Sequence, residues 1–441
     1  MEKKEFQTSK GERVSYAGFF LGQNIIYMIP FSFLTYFYTE YVGLSLVDTA
    51  ILLLIAKIWD AVNDPIMGAI VDKCNFKKGK YLPWLKVVTY VLPISLFFMF
   101  VNVSGPYVLK LAYAYLTYII FDIFYTISDS PLFSIATVMT SSIYERDKLI
   151  ASGRFAAVIA VVTSIMFMVI KAQAGWTITV GVYCLVAFVS MFFLQFTAKE
   201  RVTYKETQDI SFKRIFQVLF KNKYLLIYYI GYMAIGTTNT LQIMAVYFAA
   251  TNLGDEGMYT IIMAVSLLPT LLIAPLLPKL IQKFGKKKIT VWCSVAVIVL
   301  CIIQYFAGYA NLAVFLVIAG IRVACMETPL MLYGMFTADC IEYGTYTTGE
   351  HVAGISFSLQ TFVTKLSGAF CNGLCLALMA AFGYVQQAKH QTALSLEGIW
   401  VIMSLVPIAG FVIMLIIMKF YKLDEKQVNI MMLENQKSMN I

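Results

Sequence analysis

The chain has 441 residues, 60% apolar and only 13% charged, with a formal net charge of +9. A soluble domain carries roughly 25% charged residues, so this composition excludes an ordinary soluble globule and points to a polytopic membrane protein. The positive balance does not imply nucleic acid: no basic stretch with interleaved stacking aromatics lies outside the apolar runs, and cytoplasmic loops of membrane proteins collect Lys and Arg.

Taken in chain order, the first fifteen residues are polar and charged, with no apolar core ending in a small-residue cleavage site, so no signal peptide is expected. Apolar runs of about 20 residues then predict spans near 16–38, 47–72, 82–102, 107–140, 151–172, 176–197, 224–250, 257–278, 289–308, 311–338, 352–382 and 397–420. This is an all-α membrane protein with twelve transmembrane helices. The longest polar interruption falls between the sixth and seventh spans. It divides the chain into an N-terminal six-helix half (1–197), a middle loop (198–223) and a C-terminal six-helix half with a short tail (224–441). Both halves carry a Lys-rich loop after their second span, NFKKGK (75–80) and KFGKKK (283–288), as a pseudo-symmetric repeat requires. Lys and Arg concentrate on the side of the termini, the middle loop and these two loops. Only Lys110, Lys171 and Lys389 fall on the other side, so both termini are expected in the cytoplasm, with the protein in the cell membrane.

The second span carries Lys57, Asp60 and Asp64 at i, i+3 and i+7 with Asn63 beside them, and the fourth carries Asp122, Tyr125, Thr126, Asp129 and Phe133 on one stripe. Ionisable groups at membrane depth are costly and usually mark a pathway. Asp60, Asn63, Asp64 and Thr126 together offer an oxygen cage suited to a small hard cation, and crowded carboxylates can also take a proton. The competing reading is an internal ion-pair network, Lys57 with Asp60 and Arg154 or Lys365 with Asp129. Gly68, Asp72, Lys73 and Lys77 have the spacing of a charge lock on the cytoplasmic side, with Asp72 and Lys73 as gating residues. In the second half, Lys365 sits with apolar turns on either side and is expected to face a cavity, with Glu327 a further substrate contact. For Arg322 a functional intramembrane charge competes with a residue that pairs with Glu327 or snorkels. The eight cysteines show no metal-binding or disulfide spacing; Cys371 and Cys375 share a helix face and read as core residues. No nucleophile–base pair suggests an enzyme.

The run KIWDAVNDPIMGAIVDKCNFKKGKYLPWL (57–85) closely resembles the signature of the glycoside–pentoside–hexuronide:cation symporter family, the melibiose-permease-like branch of the major facilitator superfamily. SYAGFFLGQN (15–24), YFYTEYVGLS (36–45), YTISDSPLFSI (125–135), ADCIEYGTYTTGE (338–350) and TKLSGAF (364–370) support it over nearly the whole length. The resemblance implies the major facilitator fold with a central cavity. It also implies that Asp60, Asn63, Asp64 and Thr126 bind the coupling cation, Na⁺ with Li⁺ or H⁺ as alternatives, and that Asp129 and Arg154 bind sugar hydroxyls with Lys365 nearby. Two substrate positions depart from the family pattern: Asn24 replaces a galactosyl-binding aspartate and Phe133 replaces a Trp. His351 and Ala353 depart from a third motif, and Asp122, Arg322 and Glu327 have no counterpart in the pattern. A galactoside is therefore disfavoured, and Arg154 with Lys365 leaves room for an anionic sugar such as a hexuronide, an excess of positive charge that Glu327 can cancel. The expectation is a Na⁺-coupled importer of a glycoside, pentoside or hexuronide, with a lysolipid or other amphipathic transporter, or a non-transporting receptor, as the rivals. Its partners are the sugar and the bilayer, without nucleic acid or an obligate protein partner.

Overall fold

The computed structural model describes residues 7–74, 76, 79–140, 142–201, 222–273, 276–348 and 353–438. Among them all regular structure is helical, apart from one bridge between Phe76 and Gly79. The chain forms two compact units, Met1–Asp209 and Ile210–Ile441.

The first unit holds α1 (Lys10–Tyr36, prolonged by a π-helical turn Phe37–Val42), α2 (Leu46–Lys73), α3 (Leu82–Met99), α4 (Tyr107–Met139), α5 (Ile143–Ile165) and α6 (Phe167–Phe192). The second holds α7 (Lys223–Thr237), α8 (Leu241–Thr251), α9 (Met258–Ile273), α10 (Leu277–Phe284), α11 (Lys286–Ala307), α12 (Leu312–Met331), α13 (Tyr333–Thr348), α14 (Ala353–Ala381), α15 (Ala393–Ser404), α16 (Val406–Phe420) and α17 (Glu425–Ser438). Nine helices among the described residues are long and apolar enough to cross a membrane. The charged α2, the pair α7 and α8, and the 16-residue α9 supply the remaining passes of the expected twelve. Val108, Phe196, Leu272 and Phe306 are 68–81% exposed, an apolar surface that water would penalise and hydrocarbon does not.

Local chemistry starts these helices. Ser9 and Glu12 form a capping box at α1, each side chain accepting from the other's backbone N–H at 3.2 and 2.8 Å. Ser45 caps α2 and Ser142 caps α5, each hydroxyl accepting from the backbone N–H three residues on. Glu145, in the first turn of α5, ties down the N-terminal segment by accepting from the Thr8 hydroxyl, from Thr8 N–H at 2.8 Å, Thr140 Oγ1 at 2.8 Å and Gln7 N–H at 3.1 Å. Burial alone would raise this carboxyl, but the bonds from Thr8, Thr140 and Gln7 outweigh it and hold the group below the ordinary glutamate value.

The repeat expected from the two Lys-rich loops has a structural counterpart within each unit. Glu200, after the sixth pass, accepts the N–H groups of Lys80, Tyr81 and Leu82 at 2.7–2.8 Å and so caps α3. Glu425, after the twelfth pass, accepts from Lys286 N–H at 2.6 Å at the start of α11. Each cap sits against a left-handed glycine, Gly79 at φ 114° and Gly285 at φ 80°. A Cβ there would come within 3 Å of the capping carboxylate as well as straining the backbone.

Several predicted continuous spans are broken. The fifth is interrupted at Met166, the sixth at Phe193, the seventh at Thr238–Thr240, the tenth at Leu332 and the twelfth at Leu405. In the twelfth the cause is chemical: Pro407 has no N–H to give to the Met403 carbonyl four residues earlier, so that carbonyl is left for another donor.

Candidate cation and substrate sites

α2 packs along α4, and the polar stripes of the two helices meet in the interior of the first unit. Asp60 and Asn63 are 3% exposed and Thr126 is 6% exposed, all in apolar helices where bare polar atoms are penalised. Asn63 Nδ2 donates to Thr126 Oγ1 at 3.2 Å, which joins the two passes. Turning the amide over presents its oxygen to the same point, so carboxylate, amide and hydroxyl oxygens are all available to a hard cation. Among the described residues no three His, Cys, Asp or Glu side chains cluster as a transition-metal site.

The internal ion pair expected as the rival reading is also present: Lys57 Nζ lies 3.4 Å from Asp60 Oδ2. It does not exhaust the acidity. Lys57 interacts electrostatically with Asp122 of α4 as well as with Asp60, and Tyr118 and Tyr27 stand beside it. By formal charge, one ammonium faces two carboxylates. Asp122, unexplained in the sequence, thus belongs to the same polar cluster. The side chains of Asp64, Asp72 and Lys73 lie outside the described ones, as do Lys77 and His351.

One turn further along α4, Gln23 of α1 donates to Ser128 Oγ at 2.9 Å and to Asp129 Oδ1 at 3.2 Å. Asn24, the expected contact, instead donates to the Phe20 carbonyl of its own helix at 2.8 Å. Adjacent helix residues point about 100° apart, so only one of this amide pair faces α4, and it is Gln23. Arg154 of α5 is exposed and places its guanidinium 5.1 Å from the centre of the Phe133 ring, which meets Phe20 edge-on. Tyr27 stacks on Tyr125 at 5.3 Å. The first unit therefore gathers Gln23, Asp129, Phe133 and Arg154 beside aromatic rings, a set able to hold sugar hydroxyls and a sugar's apolar face.

In the second unit, Asn239 at the break of the seventh pass reaches Glu327 Oε1 with its Nδ2 at 3.4 Å. Tyr232, nearly two turns before the break, lies in electrostatic range of Glu327, stacks on Tyr333 and approaches Thr364 Oγ1 at 3.5 Å. Lys365, half-buried on α14, follows Thr364. The polar run Gly236-Thr237-Thr238-Asn239-Thr240 inside an apolar span was the signal that would have found Asn239.

Arg322 corrects an expectation. It neither pairs with Glu327 nor snorkels, but is 0% exposed and donates from Nη1 to the Met403 carbonyl at 2.9 Å. Five helical residues turn Glu327 about 140° away from it, which rules out the pairing on one helix face.

The family model described as MFS/sugar transport protein matches residues 15–425. An uncharacterized symporter, YnaJ of Bacillus subtilis (strain 168), is 28% identical over 428 residues, covering 94% of this chain and 92% of its own length. The glucuronide carrier protein homolog of Escherichia coli (strain K12) is 26% identical over 93% of this chain and 92% of its own, and the isoprimeverose transporter of Lactiplantibacillus pentosus is 26% identical over 94% and 89%. Among solved structures, the nucleoside transporter NupG superposes with a TM-score of 0.67 at 11% identity over 93% of this chain and 99% of its own. A D-xylose-proton symporter does so with a TM-score of 0.61 at 13% identity over 92% and 96%. At those identities the structures speak for the fold alone.

Proposed function

The chain belongs to the MFS/sugar transport protein family, transporters rather than enzymes, and from that premise we propose that it is a Na⁺-coupled symporter importing a glycoside, pentoside or hexuronide by alternating access. The observation that supports the reading is the Asn63–Thr126 bond beside buried Asp60, which brings carboxylate, amide and hydroxyl groups together between two helices. Asp60, Asn63 and Thr126, with Asp64, hold the cation; Li⁺ or H⁺ are the alternatives to Na⁺. Neutralising the cluster lets α2 and α4 close, and α4 also carries Asp129 and Phe133. Cation and sugar then tighten each other, a coupling that must be reciprocal. A membrane potential of 100 mV gives about 2.3 kcal/mol per charge and a tenfold Na⁺ gradient about 1.4 kcal/mol, together enough for a few-hundred-fold accumulation.

Gln23, Asp129, Phe133 and Arg154 are the substrate-binding candidates of the first unit, and Glu327, Asn239 and Lys365 are those of the second. Exposed Arg154 over Phe133 favours a sugar bearing a carboxylate, and a glucuronide carrier among the relatives supports the same choice. Asp72 and Lys73 are the proposed cytoplasmic latch, and both termini are placed in the cytoplasm. Thermal-shift measurements on the purified protein, run against a panel of neutral and anionic sugars and lysolipids with and without Na⁺, test the proposal. A sugar response enlarged by Na⁺, lost in Asp129→Asn and deprived of its Na⁺ enlargement in Asp60→Cys, is expected. A lysolipid response without a sugar response overturns the cargo, and an unchanged Na⁺ effect in Asp60→Cys overturns the cation site.

A further inference from the structure

Arg322 lies about 15 Å along α12 from its first residue at 1.5 Å per residue, deep in the second unit, and it is fully buried. Its Nη1 has two partners, the Met403 carbonyl at 2.9 Å and the Cys301 thiol at 3.9 Å. The first exists because Pro407 withholds its donor from that carbonyl. Both partners are neutral, and among the described residues no carboxylate pairs with this guanidinium. Nε and Nη2 have no protein acceptor. These two nitrogens share one edge of the planar group, the edge that grips a carboxylate with two parallel N–H bonds or a single halide between both.

A second observation points to the same place. Gln304 stands one turn beyond Cys301 on α11, is 0% exposed, and has both amide atoms without a protein partner. Buried amides are almost always bonded, and a buried charge is strongly penalised unless it is matched. The guanidinium reaches α11 at Cys301, and the desolvated Gln304 amide stands one turn further along that helix, where α11 and α12 pack together.

We infer that Arg322 and Gln304 line a buried site for one compact monovalent anion, the Arg322 fork and the Gln304 amide donating to it. Because Arg322 also holds the Met403 carbonyl, the anion fastens the break in the twelfth pass to α11 and α12. A halide and the carboxylate of a uronate share this chemistry, and the site stands whether or not the cation assignment does.

The test follows thermal unfolding of the full-length protein in lipid nanodiscs by tryptophan fluorescence at constant Na⁺ and ionic strength. In one arm methanesulfonate is replaced stepwise by chloride or bromide, in the other by glucuronate. A saturable rise of several degrees in midpoint is expected in at least one arm, because a ligand that binds only the folded state stabilises it. The rise should vanish in Arg322→Gln and weaken in Gln304→Leu. Where Arg322→Gln does not fold, anomalous scattering from bromide-grown crystals of the unaltered protein is expected to peak at the Nε–Nη2 edge. A midpoint indifferent to both anions, a rise that survives Arg322→Gln, or no bromide peak at that edge would overturn the assignment. A glucuronate rise lost in Arg154→Ala instead of Arg322→Gln belongs to the transport site and counts against this one.

Discussion

Lys57→Met is the substitution that best separates a cation site from a permanent ion pair. Lys57 Nζ stands 3.4 Å from Asp60 Oδ2 and also acts on Asp122. At that separation the attraction is about 5 kcal/mol at an effective dielectric of 20 and about 1 kcal/mol in bulk water. The Lys57 side chain is 26% exposed and that of Asp60 4%, so the pair falls between these limits. A coupling cation has to compete with this ammonium for Asp60. Removing it should raise Na⁺ affinity by roughly tenfold to a hundredfold, corresponding to about 1.4–2.8 kcal/mol.

Trp59 adjoins Asp60 and offers a reporter, so Na⁺ titrations of tryptophan fluorescence on the purified protein and on Lys57→Met measure the change directly. If the ammonium is instead a permanent counter-charge, its loss strands a buried carboxylate, and such losses typically destabilise by about 3–5 kcal/mol. Na⁺ affinity that is unchanged or weaker in Lys57→Met, with a large drop in thermal midpoint at every Na⁺ concentration, refutes the cation reading of Asp60.

Gln23→Leu should lower sugar affinity at least tenfold while leaving the Na⁺ titration intact, whereas Asn24→Leu should change sugar affinity much less; calorimetric titration of both variants distinguishes them. Glu200→Ala removes the acceptor of three backbone N–H groups at the start of α3, so a loss of about 1–3 kcal/mol in stability is expected, with partial recovery in Glu200→Gln. Glu145 is held below its ordinary value of 4.5 in the folded chain. Its contribution to stability is therefore fully present above that pH and is lost as pH falls through the folded value. Midpoints measured between about pH 7 and pH 3.5 should fall less steeply in Thr8→Val, and an identical slope would remove Glu145 from the acid response.

The passes themselves were legible because hydrophobicity accumulates residue by residue, whatever the neighbours do. The breaks were not, and proline shows why. Pro30, Pro93 and Pro131 lie inside α1, α3 and α4, which continue past them, while the twelfth pass breaks just before Pro407. A missing N–H is visible in any sequence, but whether a helix absorbs the loss depends on what else can satisfy the orphaned carbonyl. For Met403 that donor is Arg322, 81 residues away, and the contact is to backbone, which every residue offers alike. The same limit explains the amides of α1. Helical periodicity placed Asp60, Asn63 and Lys57 together because they share one helix, whereas choosing Gln23 over Asn24 requires the rotation of α1 against α4. That rotation is set by tertiary packing, Gly22 against the Ala187 carbonyl being one close approach that admits no larger residue. Positions whose partner is a side chain on the same helix can therefore be read from spacing. Those that depend on a neighbour's rotation or on a freed carbonyl emerge only once the helices are packed, and in this chain they include Gln23 and Arg322.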